Sequence, residues 1–142
     1  MMSSATLVSF PPDTAILLIA HGSRHQPAND DLIALADRLA TREGWTITVP
    51  CFLELAEPDI AAGGAECVRR GARRVVMVPY FLSMGVHLTR DLAAARDELA
   101  QRFPEVQFHL GPPLGPDPAL DDLVVRRARE LVETAWTQTR AD

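Results

Sequence analysis

Two short apolar runs constrain this chain more than anything else in it. Ala15-Ile16-Leu17-Leu18-Ile19-Ala20 and Val75-Val76-Met77-Val78 are continuous and largely branched, without the apolar–polar alternation of a half-exposed strand. Such strands are covered on both faces, the usual condition of a parallel sheet flanked by helices. Each run breaks sharply. The first ends at His21-Gly22-Ser23-Arg24, and the second at Pro79, after which a loop containing Gly85 leads to His87. Two buried strands therefore each deliver a histidine at or just beyond the carboxyl end. In an open parallel sheet, that edge is where ligands bind.

The rest of the chain reads as alternating strands and helices. Residues 1–13 end in Pro11-Pro12-Asp13, show no period and read as a loose leader. A first strand over 14–20 precedes a helix over 28–42, with Leu32, Leu35, Ala36, Leu39 and Ala40 on one face and Gly44 as its stop. A second strand over 45–52 alternates through Trp45, Ile47, Val49 and Cys51, the pattern of an edge strand. A weak helix over 58–70 carries Pro58 in its first turn. Its Gly63-Gly64 pair costs about 1 kcal/mol per glycine relative to alanine. A third strand over 74–80 and a loop over 81–87 lead to a helix over 88–102, which Pro104 ends. After a fourth strand over 106–110 comes the rigid loop Gly111–Pro116. Asp117-Pro118 then caps a last helix over 118–136, with an apolar stripe of Leu120, Leu123, Val124, Leu131 and Val132. Residues 137–142 read as a frayed tail. The expectation is one α/β domain over 14–136, a three-layer sandwich whose four-stranded parallel sheet has the order 2-1-3-4 and helices on both faces.

Composition excludes several classes. At 142 residues, one domain is the prior. The net charge is −5, with 14 basic residues, all arginine, against 19 acidic ones and no long basic run, which argues against nucleic acid. Cys51 and Cys67 have neither a disulfide framework nor metal-site spacing, and read as small buried hydrophobes. No apolar run approaches the roughly 18 residues of a membrane span. Without a charged and then apolar leader no signal peptide is expected, so the expected compartment is the cytoplasm. Phosphate-loop, dinucleotide and nucleophile-elbow motifs are absent.

With the order 2-1-3-4, the switch point falls between the strands that carry His21 and His87, so both imidazoles can face one crevice. Imidazole is the commonest transition-metal side-chain ligand, and two histidines without a third strong ligand suit a metal that must be handed on. Alternatively, each is a loop histidine with local hydrogen bonds. Glu54, just past the second strand, reads as an oxygen ligand, a proton acceptor or a solvated carboxylate. Gly22-Ser23-Arg24 offers backbone N–H groups and a guanidinium beside a helix start, an anion site. Gly85 allows close ligand approach or a left-handed turn. His25 and His109 read as ordinary.

Four segments at the four strand ends together carry a resemblance. They are His21–Arg24, Phe52-Leu53-Glu54-Leu55-Ala56-Glu57-Pro58, Pro79–His87 and Gly111-Pro112-Pro113-Leu114-Gly115. With them the chain, over about residues 14–132, resembles the class II tetrapyrrole chelatases, and among them the short CbiX type. The resemblance implies a chelatase-like fold and insertion of a divalent metal into sirohydrochlorin, Co²⁺ for cobalamin first, then Fe²⁺ for sirohaem, then Ni²⁺. It implies His21 and His87 as the metal-binding and catalytic pair, with Glu54 at an acidic position implicated in some members. It also implies a homodimer, since the short form resembles half of the double-length enzymes. Gly22, Ser23, Arg24, Gly85 and Arg90 are the candidate anchors for the carboxylates of the substrate. No organic cofactor is implied. The competing classes are a non-catalytic metal or tetrapyrrole carrier using the same cleft, and a small α/β domain that only mediates assembly.

Overall fold

Strands and helices alternate from Thr14 to Ala141, as the two apolar runs require. The protein is described by a computed structural model covering residues 10–141, with side chains to residue 137. Residues 1–9, most of the expected leader, and the side chains of the tail beyond 137 lie outside the described residues. The elements are β1 (Thr14–Ala20), α1 (Gln26–Glu43), β2 (Ile47–Phe52), α2 (Ile60–Arg69), β3 (Arg74–Pro79), α3 (Val86–Arg102), β4 (Gln107–Leu110) and α4 (Pro118–Ala141). All strand pairs are parallel, in the order β2-β1-β3-β4.

Right-handed crossovers put α1 on one face of this sheet and α2 and α3 on the other. The larger core lies on the α2–α3 side, where Ala15, Leu17 and Ile19 of β1 meet Ile60 and Cys67 of α2 and Leu92 and Leu99 of α3. The smaller core packs Leu18 and Phe52 against Leu32 and Ala36 of α1. β1 is central and buried on both faces from Thr14 to Ile19, as the unbroken apolar run demands.

Several boundaries differ from the sequence reading. α1 starts at Gln26, two residues before the expected 28, because Pro27 fits a first helical turn that needs no N–H. β2 starts at Ile47, not 45. The Trp45 amide instead donates to the Ala40 carbonyl at the end of α1, and its ring stacks on Phe10 at 5.4 Å. Pro58 lies outside α2. Asp59 is the N-cap, accepting the Ala62 amide at 2.8 Å. α4 continues to Ala141, past the expected end at 136.

Gly63 and Gly64 are packing residues. A Cβ added at Gly63 would lie 2.8 Å from Cys51 Cβ, and one at Gly64 would lie 2.6 Å from Leu99 Cδ1. The glycines that weaken α2 as an isolated helix are what let it approach β2 and α3.

The sheet is not covered evenly. On the α1 side, α1 lies over β1 and β2. Along β3 and β4 the same face leaves Val76 and Val78 half-buried and Tyr80, Gln107 and His109 exposed. α4 anchors itself through half-buried Leu120 and Leu123, and every residue from 124 to 137 is exposed.

Candidate active site

The carboxyl edge of the parallel sheet carries all four segments, which follow the ends of β1, β2, β3 and β4. β1 ends at Ala20, paired with Phe52 of β2, so His21 and the residues after Phe52 leave the sheet side by side. The pairing continues past the strands, with the Leu53 amide donating to the Ala20 carbonyl at 2.9 Å and the Glu54 amide to the His21 carbonyl at 3.0 Å. This backbone ladder aligns the side chains. His21 Nε2 lies 2.9 Å from Glu54 Oε1, with both side chains more than half exposed. As a carboxylate Glu54 can only accept, so Nε2 carries the hydrogen, and in the neutral ring Nδ1 keeps its lone pair. The His21 ring meets Phe81 edge-on, with centroids 6.3 Å apart.

Gly22 has φ +95° and is pressed against the Glu54 carbonyl, where an added Cβ would overlap the oxygen. Glycine is therefore required twice over, by conformation and by space. The loop beyond is held by a residue that the sequence reading did not single out. Asn29, 3% exposed, accepts the Ser23 amide at 2.9 Å and donates Nδ2 to the Ser23 carbonyl at 2.8 Å. The Ser23 hydroxyl in turn accepts the His25 amide. Only the placement of an asparagine a few residues past a strand-end glycine could have suggested this clamp. After Glu54, Leu55 adopts φ +63°, an uncommon conformation for leucine, and stays exposed.

The second histidine sits differently from expectation. His87 is in the first turn of α3, not in the loop, because Gly85 is already the N-cap at φ −79° and ψ 178°. Gly85 is thus neither left-handed nor crowded, as an added Cβ would meet nothing within 4 Å. His87 is exposed and makes no hydrogen bond or ring contact among the described residues. The loop before it is pinned from β4's side, where the Leu114 and Gly115 amides donate to the Phe81 and Leu82 carbonyls at 2.8 and 3.0 Å. Phe81 and Met84 pack into the core, and Leu82 and Val86 remain exposed. Arg24 and Arg90 are both exposed and without a carboxylate partner among the described residues. One helical turn separates Arg90 from His87, on the same side of α3.

The structure therefore brings His21, Glu54 and Gly22 into direct contact, and puts His87 on the adjoining element of the same sheet edge. Among the described residues no cluster of three or more His, Cys, Asp or Glu side chains could enclose a metal ion. A histidine–carboxylate pair without further ligands leaves most of an ion's coordination open to other donors. The two cysteines take no part. Both are buried, and burial pushes the Cys67 thiol up to about 12 and raises Cys51 further still.

A family model described as CbiX matches residues 15–131. Among curated proteins, the sirohydrochlorin ferrochelatase of Priestia megaterium is 34% identical over 116 residues, 82% of this chain and 44% of that protein. The sirohydrochlorin cobaltochelatase of Methanosarcina acetivorans is 32% identical over 125 residues, 82% of this chain and 95% of that protein. The chain spans about half the length of the curated relatives it matches first. Among solved structures, a cobalamin (vitamin B12) biosynthesis CbiX protein from Marinobacter aquaeolei superposes with TM-score 0.74 at 28% identity, covering 85% of this chain and 98% of that one. The sirohydrochlorin chelatase SirB from Bacillus subtilis subspecies spizizenii, in complex with cobalt, gives TM-score 0.78 at 29% identity, covering 84% and 51%.

Proposed function

Because this chain belongs to the CbiX family, we propose that it is a sirohydrochlorin chelatase, a cytoplasmic lyase that inserts a divalent metal into the tetrapyrrole. The observation that carries this reading is the 2.9 Å His21–Glu54 pair where β1 and β2 leave the sheet. Metallation must remove two pyrrole N–H protons and deliver a partly dehydrated ion to the ring centre. Nδ1 of His21 and the imidazole of His87 are the donors offered to the incoming metal. Glu54 fixes the His21 ring, as carboxylates commonly do for metal-ligating histidines, and accepts protons leaving the pyrroles. Exposed Leu55, Leu82 and Val86 offer apolar contact to the macrocycle. Arg24, Arg90 and the amides of Gly22 and Gly85 receive its carboxylates, while the Ser23 amide is held by Asn29.

Cobalt is the first choice of metal, with iron second and nickel third. The chain's relatives include cobaltochelatases as well as ferrochelatases. The assembly that goes with this reading is a homodimer with the two clefts facing a shared cavity, since a single domain covers one side of a broad flat ring.

Anaerobic metallation of sirohydrochlorin, followed by absorbance with Co²⁺, Fe²⁺ and Ni²⁺ in turn, tests the reading. Turnover fastest with Co²⁺ is expected. Stoichiometric binding of metal and tetrapyrrole without turnover would replace the enzyme by a carrier.

A further inference from the structure

One residue in the segment after β2 is strained without any gain to the fold. Leu53 packs against the larger core and Ala56 against the smaller one, on opposite faces of the sheet. Leu55, between them, joins neither core and stands 51% exposed. Its own backbone turns it outward. At φ +63° it is the one non-glycine residue with positive φ among the described residues. That conformation crowds the Cβ of a leucine, whereas glycine or asparagine adopts it readily. Both ends of the segment enforce it. The Leu53 and Glu54 amides are tied to the Ala20 and His21 carbonyls, and the Phe52 amide donates to the Pro58 carbonyl at 2.9 Å. Asp59, next in the chain, is fixed as the N-cap of α2. Outliers held this firmly cluster where a site uses them. Leu55 is also the immediate neighbour of Glu54, whose carboxylate lies 2.9 Å from His21.

We propose that Leu55 is the seat for one face of the tetrapyrrole ring, held left-handed so that its side chain stands outside the core before the ring arrives. The inference rests on the chelatase reading above and assigns, within it, the residue that sets the ring's place beside the His21–Glu54 pair. A leucine suits the flat apolar face of a conjugated macrocycle, not its carboxylate rim. It has no donor for a metal and no group that takes a proton, so it acts on binding of the ring alone. Covering its exposed half removes apolar surface worth about tenfold in affinity. Leu82 and Val86 are exposed at the same edge, but neither has positive φ. Leu55 alone combines exposure with strain, and the fold itself gives no reason for a leucine there.

Sirohydrochlorin titrated into the metal-free full chain and followed by its absorbance reads affinity for the ring apart from metallation. Leu55→Asn keeps the left-handed backbone at lower cost and removes the apolar surface. Its Kd is expected to rise about tenfold, with Tm at or above that of wild type. In turnover, KM for the tetrapyrrole should rise in step, while KM for the metal and kcat hold. Leu55→Met keeps both the strain and the apolar bulk, and its Kd is expected within about threefold of wild type. Wild-type affinity in Leu55→Asn would remove Leu55 from the ring's seat and leave the chelatase reading intact. A Tm lowered by more than about 4 °C in Leu55→Asn would make the leucine a packing residue and equally overturn the inference. A wild-type chain without affinity for the ring would overturn both.

Discussion

His21 and Glu54 are 33 residues apart in the chain and 2.9 Å apart at their side-chain tips, joined by a backbone ladder that outlasts the strands. The pair separates orientation from proton transfer, because glutamine keeps the hydrogen-bond acceptor and loses the base. Glu54→Gln and Glu54→Ala should both lower kcat for metallation about a hundredfold, the lower end of general-base contributions, with unchanged circular dichroism. Wild-type turnover in Glu54→Gln would reduce Glu54 to a positioning residue.

Gly22→Ala should fail at the level of the fold. The new methyl group needs φ +95° and the space held by the Glu54 carbonyl. A loss of about 1–3 kcal/mol in urea denaturation is expected, together with displacement of the Glu54 loop. An unchanged midpoint would mean that the two strand ends are looser than described.

Gly63→Ala sets two effects against each other. Helix propensity gains about 1 kcal/mol, and overpacking against Cys51 Cβ costs about 1–3 kcal/mol. Net destabilisation is expected, because Cys51 Cβ is fixed to a buried strand and cannot swing aside. Gly85→Ala is the control. With open space at its Cβ and an ordinary φ, its stability should stay within experimental error of wild type.

The acid limb of stability should report Glu66. Hydrogen bonds from Arg69 and Arg70 at 2.6–2.8 Å hold its carboxyl at about 2, below its ordinary 4.5. A lowered folded-state value means that the folded protein resists protonation. Its contribution is therefore complete above pH 4.5 and disappears as pH falls toward 2. Denaturation midpoints measured from pH 6 down to 2 should fall less steeply in Glu66→Gln than in wild type. Parallel curves would show that the surface pair is screened out by solvent.

What the sequence disclosed depended on range. The strands and their order followed from local apolar runs and from alternation with helices, which short-range physics controls. His21 and Glu54 were legible as residues at strand ends. Their contact was not, because it depends on how far the β1–β2 ladder continues past Ala20. Gly63 and Gly64 looked like a defect in a helix since nothing local reveals the strand and the leucine that press on them. His87 looks like a loop residue in the sequence because a glycine with ordinary φ caps α3 without the Ser, Thr, Asp or Asn that normally marks a helix start. Asn29 carries no signal inside a helical pattern, its role visible only once Ser23 is folded back above it.

β1 lies between two strands and two helical layers, and from Thr14 to Ile19 it is at most 6% exposed. Its amides should exchange with deuterium only through global opening, among the slowest in the chain. Glu54 and His87 stand on segments outside the sheet, whose amides should exchange through small local excursions on a faster clock. One side of the cleft is then as persistent as the native state itself, while the opposing groups breathe against it. Any pacing of metal delivery by motion would come from the β2–α2 and β3–α3 connections, never from the strand that leads into His21.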